Sequence, residues 1–152
     1  MEAYDKAIKL LATREHTEKE MRAKLKQKGF SNADIDSAIA RLIAENSLSE
    51  RRFAESFIRS RLRKSPEGKA LLRLRLKDKG TPASIADEVL SEAWESGMYL
   101  KPLAMYYSSI ERKKGEESAR ITLLRKGFTE RELKEALSLY FTVSESESID
   151  IE

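Results

Sequence analysis

The chain has 152 residues, with 29 Lys/Arg against 26 Asp/Glu for a net charge of +3, and it is 40% apolar and 36% charged. Such a length buries roughly 68–70% of the unfolded surface, enough for one domain or a short array of small units. The absence of cysteine and the single histidine, His16, exclude disulfides, thiolate metal sites and multi-histidine metal sites.

In chain order, the first predicted helix spans about 4–14, where Ala7, Leu10 and Leu11 share one face with Arg14. An arginine on a packing face predicts an internal partner, either helix-end carbonyls or a carboxylate. His16 reads as a solvated turn residue, since no orienting group for a general base is identifiable. The second helix, about 17–28, opens on a capping box formed by Thr17 and Glu20. The third, about 32–46, is capped by Ser31.

The next three predicted helices cover about 50–63, 66–79 and 82–95. Ala54, Phe57 and Ile58 repeat the pattern of Ala7, Leu10 and Leu11, and Arg61 repeats Arg14. Ser65-Pro66 reads as a helix start, as does Thr81 before Pro82. Trp94, followed by Gly97 and Met98, predicts packing of this group on the next. The last three helices cover about 100–113, 116–126 and 130–141, with Thr129 and Glu132 as a capping box. Tyr99, Tyr106 and Tyr107 read as packing or rim residues. The Ser/Glu-rich segment 142–152 reads as an acidic mobile tail.

A repeat underlies this order. Gly29, Gly80 and Gly127 are spaced by 51 and 47 residues. Leu25, Leu76 and Leu123 stand four residues before them, and Met21, Leu72 and Ala119 eight before. Ile39, Leu90 and Leu137 follow by ten, each preceded by Ala38, Val89 or Ala136. Glycine accepts the left-handed turn that ends a helix, so each unit reads as helix, glycine turn, helix, with one more helix in front. The expected fold is all-α: three tandem three-helix repeats, 1–47, 48–97 and 98–141, stacked as a short curved solenoid. Such a face suits a large partner better than a small-molecule pocket.

No Gly-x-Ser-x-Gly elbow, P-loop or Rossmann glycine pattern is present, which predicts a non-enzyme without cofactor or metal. No apolar run approaches the roughly 18 residues of a membrane span, and the N-terminal MEAYDKAIKL lacks a signal-peptide pattern, predicting a cytoplasmic protein. Charge is unevenly spread: residues 51–80 hold 11 Lys/Arg against 3 Asp/Glu. Two cationic stripes fall there, Arg52, Arg59 and Arg63 on one helix, and Lys69, Arg73 and Lys77 on the next. They predict an anion-facing surface, which Lys19, Arg22 and Lys26 would extend.

The stretches LLATREHTEKEMRAKLKQKGF and ERRFAESFIRSRLRKSPEGKALLRLRLKDKG resemble the RecX family, bacterial regulators of the RecA recombinase. The resemblance runs over about residues 4–141. It is most specific at Arg52-Phe53-Ala54, Phe57-Ile58, Arg61, Gly68, Leu72, Leu76 and Lys79-Gly80. It implies a monomer that binds in the groove of the RecA–single-stranded-DNA filament and inhibits strand exchange, coprotease and ATPase activities. Arg75 stands where the family often has an acidic residue before the leucine, which makes this centre more basic. The alternative readings are a module that binds single- or double-stranded DNA directly, without RecA, and a helical-repeat scaffold for an unrelated protein.

Overall fold

The computed structural model describes the backbone of residues 1–149 and the side chains of residues 1–140. Among the described residues it contains nine α-helices and no strand. They are α1 (Ala3–Leu11), α2 (Glu18–Gln27), α3 (Asn32–Ala44), α4 (Glu50–Lys64), α5 (Lys69–Lys79), α6 (Ala83–Ser96), α7 (Leu100–Lys114), α8 (Glu116–Arg125) and α9 (Glu130–Ile149). No described helix is long and apolar enough to cross a membrane.

Several boundaries differ from expectation, four of them for local reasons that the hydrogen bonds and helix ends show. α1 stops at Leu11 because the Thr13 hydroxyl donates to the Leu10 carbonyl (2.7 Å) and closes the turn, leaving Arg14 beyond the helix. α5 begins after Gly68, whose carbonyl accepts from the Leu72 N–H (3.0 Å), and not at Ser65-Pro66. Ahead of α6 the Pro82 carbonyl accepts from the Ala86 N–H (3.0 Å), so Pro82 takes the cap position. The Thr81 hydroxyl is buried without a hydrogen-bond partner. α9 continues to Ile149, past the expected end at 141, and the last part of the expected tail, residues 150–152, lies outside the described residues.

The repeated glycine has a defined task. At Gly29, Gly80 and Gly127 φ is +92°, +99° and +92°. At each, the glycine N–H donates to the carbonyl three residues back: Lys26, Lys77 or Leu124. The next residue's N–H donates to the leucine carbonyl: Phe30 to Leu25, Thr81 to Leu76, Phe128 to Leu123. This is the Schellman arrangement, and it satisfies carbonyls that the ending helix would otherwise orphan. The spacing Leu-x-x-x-Gly is therefore a helix stop in which the same leucine supplies a carbonyl to the turn and a side chain to the core.

The chain divides into two compact units, Met1–Phe57 with Arg73–Val89, and Ile58–Leu72 with Leu90–Glu152. The division passes through α4, α5 and α6. In the first unit, α1, α2 and α3 pack on one another. Their core joins Ala7, Met21, Leu25, Ile35, Ile39, Leu42 and Leu48, with Tyr4, Leu10, Leu11 and Phe30 against its edge. Each fully buried Leu, Ile or Met contributes about 1.5–3 kcal/mol relative to exposure. His16 belongs to this interior and is fully buried, contrary to the solvated position expected. Its Nδ1 lies 3.0 Å from the Arg14 carbonyl and its Nε2 lies 2.9 Å from Lys24 Nζ. Since an ammonium can only donate, Nε2 accepts and Nδ1–H donates, which is the neutral imidazole.

Arg14 has the internal partners its position predicts: the Glu15 carbonyl (2.8 Å) and the Glu20 carboxylate (2.6 Å). That pairing leaves the expected capping box half formed. Thr17 caps Glu20 N–H (3.1 Å), while the Glu20 carboxylate turns to Arg14. The Thr17 hydroxyl also donates to the Lys79 carbonyl (2.6 Å), which docks the start of α2 on the end of α5.

In the second unit, α7, α8 and α9 pack on one another around buried Leu103, Tyr107, Leu123, Phe128 and Leu133. Thr129 and Glu132 form both halves of the expected box, at 2.8 and 3.1 Å. Trp94 stacks on Tyr99 with ring centroids 4.7 Å apart, and its indole N–H donates to the Glu132 carboxylate. The joint of the first unit recurs one repeat later. Gly68 stands where Thr17 stood, twelve residues before the turn glycine. Its N–H donates to the Lys126 carbonyl (2.7 Å), so the start of α5 docks on the end of α8. A Cβ on Gly68 would lie 2.0 Å from the Gly127 carbonyl oxygen, so only glycine permits this approach.

Candidate partner-binding surface

The six cations of the predicted surface fall into two environments. Arg52, in the first unit, is engaged structurally. Its guanidinium donates to the Glu15 carboxylate (3.0 Å) and to the Asn46 and Ser47 carbonyls (2.7 and 3.1 Å). Asn46 holds φ +58°, and the turn it makes ends α3. Arg52 thus fastens α4 to that turn, satisfying carbonyls of the turn itself. Arg73 is exposed but forms a two-bond fork with Asp87, at 2.5 and 3.2 Å. Hydrogen bonding to Asp87 holds its pKa above the ordinary arginine value. Lys77, also in the first unit, is exposed. Of the expected extension, Lys19 and Arg22 are committed as well, while Lys26 is exposed: Lys19 Nζ reaches the Asp78 carbonyl (3.5 Å), and Arg22 pairs with Glu18 (3.1 Å) and Asp36 (2.6 Å).

Arg59, Arg63 and Lys69 belong to the second unit and are exposed. Among the described residues no carboxylate pairs with any of the three, nor with Lys77. Arg61, about half a turn out of phase, instead reaches the nearly buried Glu67 carboxylate (3.4 Å), the internal partner its position predicts.

Arg59 and Arg63 are brought together on the wall of a groove of about 630 Å³, with Lys64 from the same helix and Lys101 from α7. Between these cations lie Leu62, Pro66, Met98, Pro102, Met105 and Tyr106. Met98 and Met105 are 42% and 54% exposed. Lys126 Nζ sits 4.6 Å from the Tyr106 ring centroid and donates to the Ser65 hydroxyl. The cationic half of this groove was readable as a Lys/Arg stripe. The apolar half was not, because Leu62 and Pro66 are joined there by Pro102, Met105 and Tyr106 of α7, and by Met98 just before it, from more than 30 residues away. Met98, in the turn just before α7, and Met105, on α7, were the available signal.

Among the described residues the protein is all-helical, and unpaired cations share the lining of an open apolar groove. Residues 3–42 match the sequence model of the first three-helix domain of RecX, and residues 49–90 that of the second. The chain belongs to the RecX family. It is 37% identical over 144 residues to the regulatory protein RecX of Chlorobium phaeobacteroides strain BS1, covering 91% of this chain and 93% of that one. It is 46% identical over 90 residues to the regulatory protein RecX of Prosthecochloris aestuarii, across 59% of this chain and 60% of that relative. The fold matches the crystal structure of RecX from Lactobacillus salivarius with a TM-score of 0.73 at 22% identity, covering 90% and 95% of the two chains.

Proposed function

We propose that this protein regulates RecA by binding the RecA–single-stranded-DNA filament, and that it inhibits the recombinase, coprotease and ATPase activities assembled there. It acts as a monomer without catalysis, by occupying filament surface that incoming DNA or a client protein would need. Membership in the RecX family supports the partner, since the relatives bear the name regulatory protein RecX. The observation that carries the contact surface is a set of exposed cations, Arg59, Arg63, Lys69 and Lys77, with no carboxylate partner among the described residues. Burying a side chain already neutralised adds little attraction, whereas an unpaired cation releases counterions or meets an acid. Arg52 and Arg73 are cationic as well, but their carboxylates compete with any partner. The three repeats at 1–47, 48–97 and 98–141 are the proposed building units.

The test is RecA ATPase on single-stranded DNA, titrated with this protein at two salt concentrations. Arg59→Glu combined with Lys77→Glu is expected to raise the half-inhibitory concentration at least about tenfold, which is about 1.4 kcal/mol, with helicity unchanged by circular dichroism. Equal inhibition by parent and variant would remove the surface assignment. Tight binding to DNA without RecA, with a steep salt dependence, would favour the direct nucleic-acid module.

A further inference from the structure

The groove of the second unit carries more chemistry than its cations. Leu62, Pro66 and Pro102 offer hydrocarbon, and the flexible thioethers of Met98 and Met105 stand 42% and 54% exposed beside them. Exposed methionines lining a groove adapt their shape to apolar side chains, and a contiguous apolar patch ringed by charge marks a docking site. The ring here has one sign: Arg59, Arg63, Lys64 and Lys101, with no carboxylate partner among the described residues.

Nucleic acid does not suit this floor. A sequence-tolerant DNA site stacks bases on open aromatic faces. Tyr106 is the one aromatic lining residue, and the Lys126 ammonium lies over its ring. Trp94 and Tyr99 stack on each other instead. A small polar ligand is equally unsuited, because the lining surface is mostly hydrocarbon and sulfur. What fits is a protein segment whose apolar side chains enter the floor while carboxylates on its flanks meet the four cations.

We propose that this groove docks an acidic amphipathic helix of a protein partner. Resting on the functional reading above, that helix lies on the RecA subunit, so the groove contacts filament protein while other cations of the middle repeat face phosphate.

Two measurements on the full chain test this. The first uses a fluorescein-labelled helical peptide with leucines at i, i+3, i+4 and i+7 and glutamates on its other faces, and a control peptide with lysines for glutamates. The glutamate peptide is expected to bind the parent at least about tenfold more tightly than the lysine peptide, and Met98→Ser with Met105→Ser to weaken binding of the glutamate peptide at least about tenfold. Both methionines are exposed, so the double variant is expected to keep its helicity and urea midpoint. Equal binding of the two peptides by the parent, or an affinity for the glutamate peptide unchanged in the double variant, overturns the groove assignment whether or not RecA is the partner. The second measures affinity for RecA filaments and for naked oligo(dT). The double variant is expected to lose filament affinity about tenfold and keep its oligo(dT) affinity. Proportional loss of both would make the groove a nucleic-acid site and refute the proposal. A parent that binds the glutamate peptide but not the filament would sink the RecA reading alone.

Discussion

His16 shows how one residue ties local sequence to stability. Burial holds its pKa below the usual 6.5, reinforced by the nearby Arg14 and Lys24 charges. The Arg14 carbonyl and the Glu20 carboxylate pull the other way but do not win. The folded protein therefore keeps the ring neutral at a pH where the unfolded chain would protonate it. Stability rises with pH wherever the unfolded state binds more protons, so this residue's contribution is full above the unfolded pKa. It is lost as pH falls from about 6.5 toward the depressed folded value. Parent and His16→Gln should therefore be compared by urea midpoint from neutral to mildly acidic pH. The parent's advantage is expected to shrink below about pH 6.5. Glu50, whose carboxyl burial pushes up, titrates with the opposite sign, but it is common to both proteins and cancels in the difference. An advantage constant across that range would mean the ring is not held neutral. The residue's neighbours explain why sequence alone misplaced it: nothing in Glu15-His16-Thr17 announces that α5 will close over the start of α2 through the Thr17–Lys79 bond.

At the scale of elements, the helices were legible because their stops are written in residues with one physical meaning. Leu25-x-x-x-Gly29 and its two copies specify both a left-handed turn and a buried leucine, and periodicity alone places Leu72, Leu76 and Leu90 inside. What the pattern conceals is why Gly68 recurs at a position where Thr17 serves elsewhere. The reason is a contact with Gly127 from 59 residues away, which no local rule contains. A glycine-to-alanine series separates the two uses. Gly29→Ala meets open space and should cost only the left-handed strain, about 1–2 kcal/mol. Gly80→Ala adds a contact of 2.6 Å with Lys19 Cβ and should cost more. Gly68→Ala involves no positive φ, yet its Cβ would overlap the Gly127 carbonyl, so the α5–α8 joint must open. Overpacking of this kind costs about 1–3 kcal/mol or more, with backbone on both sides and no side chain to move aside. Urea midpoints are expected to fall in the order Gly29, Gly80, Gly68. A Gly68→Ala variant as stable as Gly29→Ala would show that the joint contributes little.

For the molecule as a whole, net charge matters less than which cations are already spent. The basic stretch is plain in the sequence, with eleven Lys/Arg within residues 51–80. It could not rank them, because pairing depends on acids brought from other helices: Glu15 to Arg52 and Asp87 to Arg73. The ranking has a thermodynamic signature. Each phosphate neutralised on a single strand contributes about 0.7 to the slope of log affinity against log salt. Removing an unpaired cation that touches phosphate should therefore flatten the slope by about 0.7, and Lys69→Gln and Lys77→Gln are expected to do so. Arg52→Gln and Arg73→Gln release no counterion that an internal carboxylate had not already displaced. Their slopes should stay near the parent's, whatever happens to stability. Fluorescence anisotropy on a labelled single strand across a salt series, with and without RecA, reads both quantities. Four equal decrements would mean the internal pairs break on binding, and the division between spent and available cations would have to be abandoned. Slopes that change only for the lysines would locate the anion contact on the exposed side of α5.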